Sequence, residues 1–152
     1  MLHGKDVPKS WVYMVFQRLR QCGRILGRLA QAFADGQPIV VILGDNVFQD
    51  ALAGPIARFE ADPTGAMVLL KEVDDPERFG VASVLDGRVG GIVEKPAQPE
   101  SALAVTGCYL YDARVFDIIP HLVRSDRGEL EITDVNNRYA EWGALRHEVL
   151  EG

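Results

Sequence analysis

The sequence predicts an α/β domain in which a mixed, mostly parallel sheet is flanked by helices. Short apolar runs typical of buried strands alternate with segments of helical spacing, an order that is typical of parallel sheets with crossover helices. An Asp-Gly pair at residues 86–87 stands between two further strand-like runs and predicts one antiparallel hairpin. At 152 residues, the chain has the length of one domain with a sizeable core.

The N-terminal region has the least regular pattern. Ser10 is expected to cap a helix whose apolar stripe continues to Phe33, with interruptions at Gly23 and Gly27. The only basic cluster of the chain lies in the same region, at Arg18, Arg20, Arg24 and Arg28. This cluster is either a phosphate or membrane-surface contact or, more commonly for such a short run, a solvated helix face.

The centre of the predicted domain is the apolar run at residues 39–43, which ends at Gly44 and is followed by Asp45 and Asn46. Ligands of open α/β sheets bind outside the carboxyl ends of the strands. Asp45 is therefore a candidate ligand for a hard cation such as Mg²⁺. The Gly-Asp-Asn sequence is equally typical of a turn that only ends a strand.

The remaining pattern predicts a regular series of elements. Helices are expected over 52–59, 113–119 and 132–143, and strands over 66–73, 79–85, 88–95, 103–111 and 145–150. Gly107 lies inside a predicted strand, which indicates either a bulge or the close approach of a ligand or another backbone. Glu94 and Lys95 end a strand with adjacent opposite charges, and such charges are usually only solvated.

Composition excludes several functional classes. The hydrophobic content of 47% and charged content of 25% are ordinary for globular proteins, and a net charge of -6 argues against bulk nucleic-acid binding. Local cations or a metal must therefore neutralise any anionic substrate. The N-terminus does not resemble a secretory signal, so we expect a cytoplasmic protein in which Cys22 and Cys108 are reduced. The sequence predicts no metal site at its histidines, because His3, His121 and His147 are not spaced like metal ligands and have no Cys or acidic cluster near them.

Five short motifs follow one another in an order that resembles a known family. They are Leu43-Gly44-Asp45-Asn46, Glu77-Arg78-Phe79-Gly80-Val81-Ala82, Val93-Glu94-Lys95-Pro96, the run from Val105 to Asp112, and the run from Arg127 to Asn136. Together they resemble the glucose-1-phosphate thymidylyltransferase family of sugar-nucleotide pyrophosphorylases, from about Leu29 to the C-terminus. The resemblance implies a Rossmann-like nucleotidyltransferase fold. It also implies a reaction in which the phosphate of glucose 1-phosphate attacks the α-phosphorus of dTTP, with Mg²⁺, to give dTDP-glucose and pyrophosphate.

The resemblance also implies roles for individual residues. Asp45 resembles the first magnesium-binding aspartate of the family, and Lys95 and Arg127 resemble the cations that hold the sugar phosphate. These three are the expected catalytic residues. Gly80, Glu94 and the backbone at Val105 correspond to the groups that hold the sugar hydroxyls, and Tyr109 to a residue that lines the phosphate pocket. The expected substrate-binding residues are Leu43, Gly80, Glu94, Val105 and Tyr109.

The chain departs from the family pattern at both ends. Residues 1–28 do not resemble the family's N-terminal strand and Gly-rich loop, and the Trp-x-Asp-x-Gly stretch with the second magnesium aspartate has no counterpart here. We therefore expect a divergent segment over 1–28, a partial nucleotidyltransferase domain over 29–152, and weak or absent turnover by this chain alone. The alternative is a non-catalytic sugar-phosphate-binding or assembly module. The resemblance also implies a homo-oligomer. The net charge of -6 and the lack of an apolar run of transmembrane length predict no nucleic-acid and no membrane partner.

Overall fold

The structure is a computed structural model that describes residues 12–16 (backbone only), 30–44, 46–49, 52–125, 128 and 130–151. Its strands are β1 (Val12–Phe16), β2 (Ile39–Leu43), β3 (Ala66–Glu72), β4 (Gly80–Leu85), β5 (Arg88–Glu94), β6 (Leu103–Tyr111) and β7 (Leu145–Leu150). Its helices are α1 (Ala53–Ala61), α2 (Val115–Ile118) and α3 (Ile132–Glu141), with 3₁₀ turns at Pro76–Arg78 and Ile119–His121. Residues 30–34 are also helical. Across these ranges, no helix has both the length and the apolar character that crossing a membrane requires.

The strands form one mixed sheet. Its central order is β1-β2-β6-β3-β7, while β4 pairs with β6 and β5 pairs with β4. The α/β class and the mixed sheet are confirmed, but the expectation that pairing is mostly parallel is wrong. Only β1 with β2 and β3 with β7 pair in parallel, and the other pairings are antiparallel. The reason is that β6 lies between β2 and β3 and runs opposite to both.

The helix expected from Ser10 to Phe33 is wrong at its start. Val12–Phe16 form strand β1, which pairs in parallel with β2 along its whole length. Valine, tyrosine and phenylalanine favour strands, and the available pairing edge of β2 outweighs the helical spacing of the apolar residues. The predicted helix is present at residues 30–34, whereas residues 17–29, which include the arginine cluster, lie outside the described residues.

The hairpin between β4 and β5 is confirmed in detail. Asp86 and Gly87 both have positive φ angles, of 50° and 74°, as the two central residues of a type I′ turn require. The other elements from β2 onward are also present, with small shifts at their ends. The helix predicted over 113–119 is shorter, since α2 spans Val115–Ile118, and Ile119 and Pro120 lie in the next 3₁₀ turn.

The central strands β2, β3 and β6 are largely buried on both faces of the sheet, and their alternate side chains point to opposite faces. One face packs against α3 and the other against α1. The α3 side contains Val41, Val68, Tyr109, Tyr111, Val135 and Tyr139. The α1 side contains Val40, Met67, Leu69, Leu110, Ile56 and Phe59. Polar groups that bind a ligand must therefore lie at the ends of the strands.

Asp112 joins three elements at the end of the sheet where β6 stops. Its carboxylate accepts hydrogen bonds from the Gly65 N–H at 2.7 Å, the Arg114 N–H at 3.0 Å and the Tyr139 hydroxyl at 2.8 Å. Burial alone would raise the pKa of Asp112, but hydrogen bonds from the Arg114 side chain, Tyr139 and the two backbone groups hold the pKa below its usual value. The ionised carboxylate therefore stabilises the fold.

Candidate functional site

Three of the expected sugar-binding residues lie on neighbouring strands, where the β4–β5 hairpin joins β6. Gly80 pairs with Glu94 across the β4–β5 hairpin. Val81 pairs with Ala104 in antiparallel register, which brings Gly80 next to Val105. The structure thus brings Gly80, Glu94 and Val105 together on three adjacent strands. Their roles as substrate ligands stay predictions.

Gly80 leaves space beside the Glu94 carboxylate. A Cβ atom on Gly80 would lie 3.2 Å from Oε2 of Glu94, 3.4 Å from Cγ2 of Ile92 and 3.7 Å from Oγ1 of Thr133. The first of these distances is tighter than ordinary van der Waals contact. Any larger residue at position 80 would therefore occupy the space next to the carboxylate.

Helix α3 fixes the strand that carries Glu94. The Thr133 hydroxyl, which is only 7% exposed, donates a hydrogen bond of 2.9 Å to Oε2 of Glu94. One turn later, the Asn137 carboxamide accepts from the Ile92 N–H at 2.8 Å and donates to the Ile92 carbonyl at 2.9 Å. Neither helix residue was among the site residues that the sequence predicted. Their spacing of four residues, which places them on the same helix face, was the available signal.

Lys95 follows directly after β5 and has an unusual backbone. Its φ angle is +47°, a left-handed conformation that costs most residues about 1 to 2 kcal/mol. The Lys95 N–H donates to the Phe79 carbonyl at 2.9 Å, which holds this conformation in place. The residue is exposed. Asp35 and Asp86 adopt the same left-handed conformation in turns, so it does not by itself indicate a binding site; its result here is that exposed Lys95 stands next to Glu94 at the end of β5.

The end of β2 is tied to β6 through Asn46. The Asn46 N–H donates to the Leu43 carbonyl at 3.1 Å and closes a turn, as the sequence suggested. Its side-chain Oδ1 accepts from the Gly107 N–H at 3.0 Å. A Cβ atom on Gly107 would lie 2.5 Å from Cγ of Asn46, so no other residue fits there without displacing the carboxamide.

The glycine in β6 also marks a bulge. The pairing of β6 with β3 shifts between Val68, which pairs with Tyr109, and Leu70, which pairs with Val105. Gly107 lies within this irregularity, and bulges are common next to functional sites. The bulge interpretation of Gly107 is therefore confirmed. The group that approaches it closely is the side chain of Asn46.

Other expected site residues are either outside the described residues or buried. Asp45 and Arg127 lie outside, so their roles stay predictions. Tyr109 is 4% exposed and its ring stacks on Tyr111 with centroids 6.1 Å apart, which makes it part of the core. Leu43 is half-buried at the end of β2.

Neither a reactive thiol nor a cluster of metal ligands is found among the described residues. Cys108 is a free thiol, as expected, but burial raises its pKa to about 12, which disfavours the thiolate nucleophile. Cys22 lies outside the described residues.

The described part of the chain holds no group of three or more His, Cys, Asp or Glu residues placed to bind a metal ion. Mg²⁺ usually takes one or two carboxylates together with substrate phosphates, so a single aspartate fits this ion only with substrate bound.

Comparison with known proteins identifies one family. Residues 26–151 match the family described as Nucleotidyl transferase. The chain is 44% identical over 124 residues to a glucose-1-phosphate thymidylyltransferase of Xanthomonas campestris pv. campestris, which covers 80% of this chain and 42% of the relative. The chain thus spans less than half the length of this curated relative.

Solved structures share the fold. A Bacillus anthracis protein assigned as a glucose-1-phosphate thymidylyltransferase, crystallised with sucrose, superposes with a TM-score of 0.79 at 44% identity. The match covers 98% of this chain and 60% of that protein. An apo UDP-glucose pyrophosphorylase superposes with a TM-score of 0.72 at 22% identity, covering 91% of this chain and 55% of that one. The second match shows the fold alone.

Proposed function

Because the chain belongs to the nucleotidyl transferase family, we propose that it carries the sugar 1-phosphate site of a glucose-1-phosphate thymidylyltransferase. In the proposed reaction, a phosphate oxygen of glucose 1-phosphate forms a bond to the α-phosphorus of dTTP. The bond from that phosphorus to the oxygen that bridges to the β-phosphate breaks. Pyrophosphate leaves, and dTDP-glucose remains. This transfer needs in-line positioning and charge neutralisation more than covalent help from the protein.

The adjacency of Gly80, Glu94 and Val105 is the observation that carries this proposal. A carboxylate accepts hydrogen bonds from sugar hydroxyls, and the glycine beside it leaves room for a sugar ring. The hydrogen bond from Thr133 orients the Glu94 carboxylate before the substrate arrives. Such preorganisation reduces the entropy that binding must overcome.

The anionic groups of the substrates require positive charge, since the chain has a net charge of -6. We assign Lys95 and Arg127 to the sugar phosphate. Nucleotidyl transfer generally uses a divalent cation, and we propose Mg²⁺, held by Asp45 together with substrate phosphates. When bound, the cation would neutralise negative charge on the triphosphate.

Binding of glucose 1-phosphate to the 152-residue chain, measured by isothermal titration calorimetry, is the first test. We expect Glu94→Gln to weaken binding at least tenfold, since a hydrogen bond to a charged group contributes about 1.5 to 3 kcal/mol. Glu60→Gln on α1 is the matched control and should bind like the parent chain. Equal affinities for the parent and Glu94→Gln would overturn the proposed sugar site.

Turnover separates the two candidate functions. We would measure pyrophosphate release from dTTP and glucose 1-phosphate with Mg²⁺, and expect weak or absent activity from this chain alone. Activity that Asp45→Asn abolishes would support thymidylyl transfer. Sugar-phosphate binding without any release would favour the binding or assembly module. Rates of about 1 per second or more would contradict the expected weakness.

The proposal extends to assembly and location. We propose a homo-oligomer, as the family resemblance implies, and a location in the cytoplasm. Sedimentation velocity over a concentration series tests this part of the proposal, and a monomer at every concentration would contradict it.

A further inference from the structure

A second concave surface lies on the outer side of α3. It is a cleft of about 660 Å³ between the segment 117–123 and α3, which is within the size range of small-molecule sites. The segment contributes Asp117, Ile118, His121, Leu122 and Val123. The helix and the residue that follows it contribute Asp134, Asn137, Arg138, Glu141 and Trp142. We call this surface the α3 cleft.

The α3 cleft is distinct from the sugar site. Thr133 bonds to Glu94 and therefore lies toward the β4–β5 hairpin. Asp134, Arg138 and Glu141 line the cleft with spacings of four and three residues, which places them on a neighbouring stripe of the same helix. Asn137 lies between the two surfaces, since it lines the cleft and its carboxamide also bonds to Ile92 of β5.

Apolar and acidic groups line the cleft together. Ile118, Leu122 and the half-exposed indole of Trp142 supply apolar surface. Arg138 is paired with Glu141 at 2.7 Å, so these two charges compensate each other. Within the part of the chain that the structure describes, Asp117 and Asp134 form no ion pair. With His121 neutral, the α3 cleft therefore has an excess of negative charge beside its apolar side chains.

This charge selects the ligand. An anion would be repelled by this charge, whereas a cation would be attracted. Partial burial and the nearby charge of Glu131 raise the pKa of Asp134, and a bound cation would offset both effects. The Arg114 guanidinium lies 5.3 Å from the centroid of the Trp142 ring and is itself paired with Asp112 at 2.7 Å, so the indole offers a ligand apolar surface.

We propose that the α3 cleft binds an organic cation with an apolar body, of the arylalkyl primary amine class. The ammonium group would lie between Asp117 and Asp134, and the apolar body would contact Leu122 and Trp142. This inference does not depend on the proposed function, because it uses neither the sugar site nor the reaction.

A series of size-matched probes tests the ligand class on the parent chain. The probes are 2-phenylethylamine, the neutral 2-phenylethanol and the anionic phenylacetate. Binding would be followed by the ¹⁵N–¹H indole signal of Trp142, assigned by its loss in Trp142→Phe. We expect the amine to bind about fivefold more tightly than the alcohol, because two exposed ion pairs together contribute about 1 kcal/mol. Phenylacetate should bind most weakly of the three. Equal affinities for the three probes, or no shift of the signal, would overturn the proposal.

Charge removal tests the location of the ammonium group. The double variant Asp117→Asn/Asp134→Asn should lose the preference for the amine and bind it and 2-phenylethanol equally. Asp86→Asn, at the exposed hairpin turn, removes one charge away from the cleft and should keep the preference. An unchanged preference in the double variant would overturn the assignment. If the double variant fails to fold, the probe series on the parent chain still decides the ligand class.

Discussion

Replacing Gly80 with alanine probes the space that the structure leaves beside Glu94. The new methyl group would lie 3.2 Å from Oε2 of Glu94, and the carboxylate has to shift by a few tenths of an ångström. Glycine inside a strand is less favourable than alanine by about 0.5 to 1 kcal/mol, so we expect the change in unfolding free energy to stay within about 1 kcal/mol. The methyl group would displace one sugar hydroxyl from the carboxylate. Loss of that hydrogen bond, about 1.5 to 3 kcal/mol, corresponds to a tenfold to about 150-fold loss of affinity.

The assay is calorimetric titration of glucose 1-phosphate into each variant, with urea unfolding of the same samples. Gly90→Ala is the matched control, because it lies in the same hairpin and its Cβ would meet only the Ser83 carbonyl oxygen, at 3.8 Å. The control should bind like the parent chain. A folded Gly80→Ala variant that binds glucose 1-phosphate with parental affinity would refute the argument that this space admits the sugar.

Three further predictions concern contacts between distant parts of the chain. Thr133→Val removes the hydrogen bond that orients Glu94 and should weaken glucose 1-phosphate binding by about tenfold. Thr133→Ser keeps the hydroxyl and should bind glucose 1-phosphate like the parent chain. Equal binding by the two variants would contradict an orienting role for Thr133. Gly107→Ala should lower the free energy of unfolding by about 1 to 3 kcal/mol, because its methyl group overlaps Asn46. In an Asn46→Ala background the same change should cost much less, and a double-mutant cycle with no coupling would count against this contact. Asp112→Asn should destabilise the protein by about 2 kcal/mol at pH 7, as measured by urea unfolding. The pKa of Asp112 is lower in the folded state than in the unfolded state, so the stability that its carboxylate adds is complete above the unfolded pKa of about 3.9. This stability is lost as the pH falls through the folded pKa. A stability difference between the parent and Asp112→Asn that persists undiminished well below pH 3 would contradict this reasoning.

Short-range information in the sequence was sufficient for most individual elements. The type I′ hairpin follows from Asp86 and Gly87, because only a few residue types accept two successive positive φ angles. The strand at Ile39–Leu43 follows from a short β-branched run that ends at a glycine. The five motifs also pointed to a nucleotidyltransferase, and the match of residues 26–151 to the nucleotidyl transferase family confirms this. In each case a few consecutive residues carry the signal.

Long-range pairing decided the rest. Val12–Phe16 form a strand because β2 offers an edge that pairs with all five residues, a fact that local spacing does not contain. The sheet is mainly antiparallel because β6 inserts between two strands that precede it in the chain, so the strand–helix–strand order alone gave the wrong neighbours.

The candidate site shows the same division. The sequence alone determined which residue types stand at positions 80, 94 and 105, and the family motifs pointed to them. Only the tertiary structure decided that Thr133 bonds to Glu94, 39 residues away, and that Asn46 bonds to Gly107, 61 residues away. The physical reason is that local propensities act over a few residues. Which buried polar groups pair is decided by the packing of the whole chain, since each must find a partner once water is excluded.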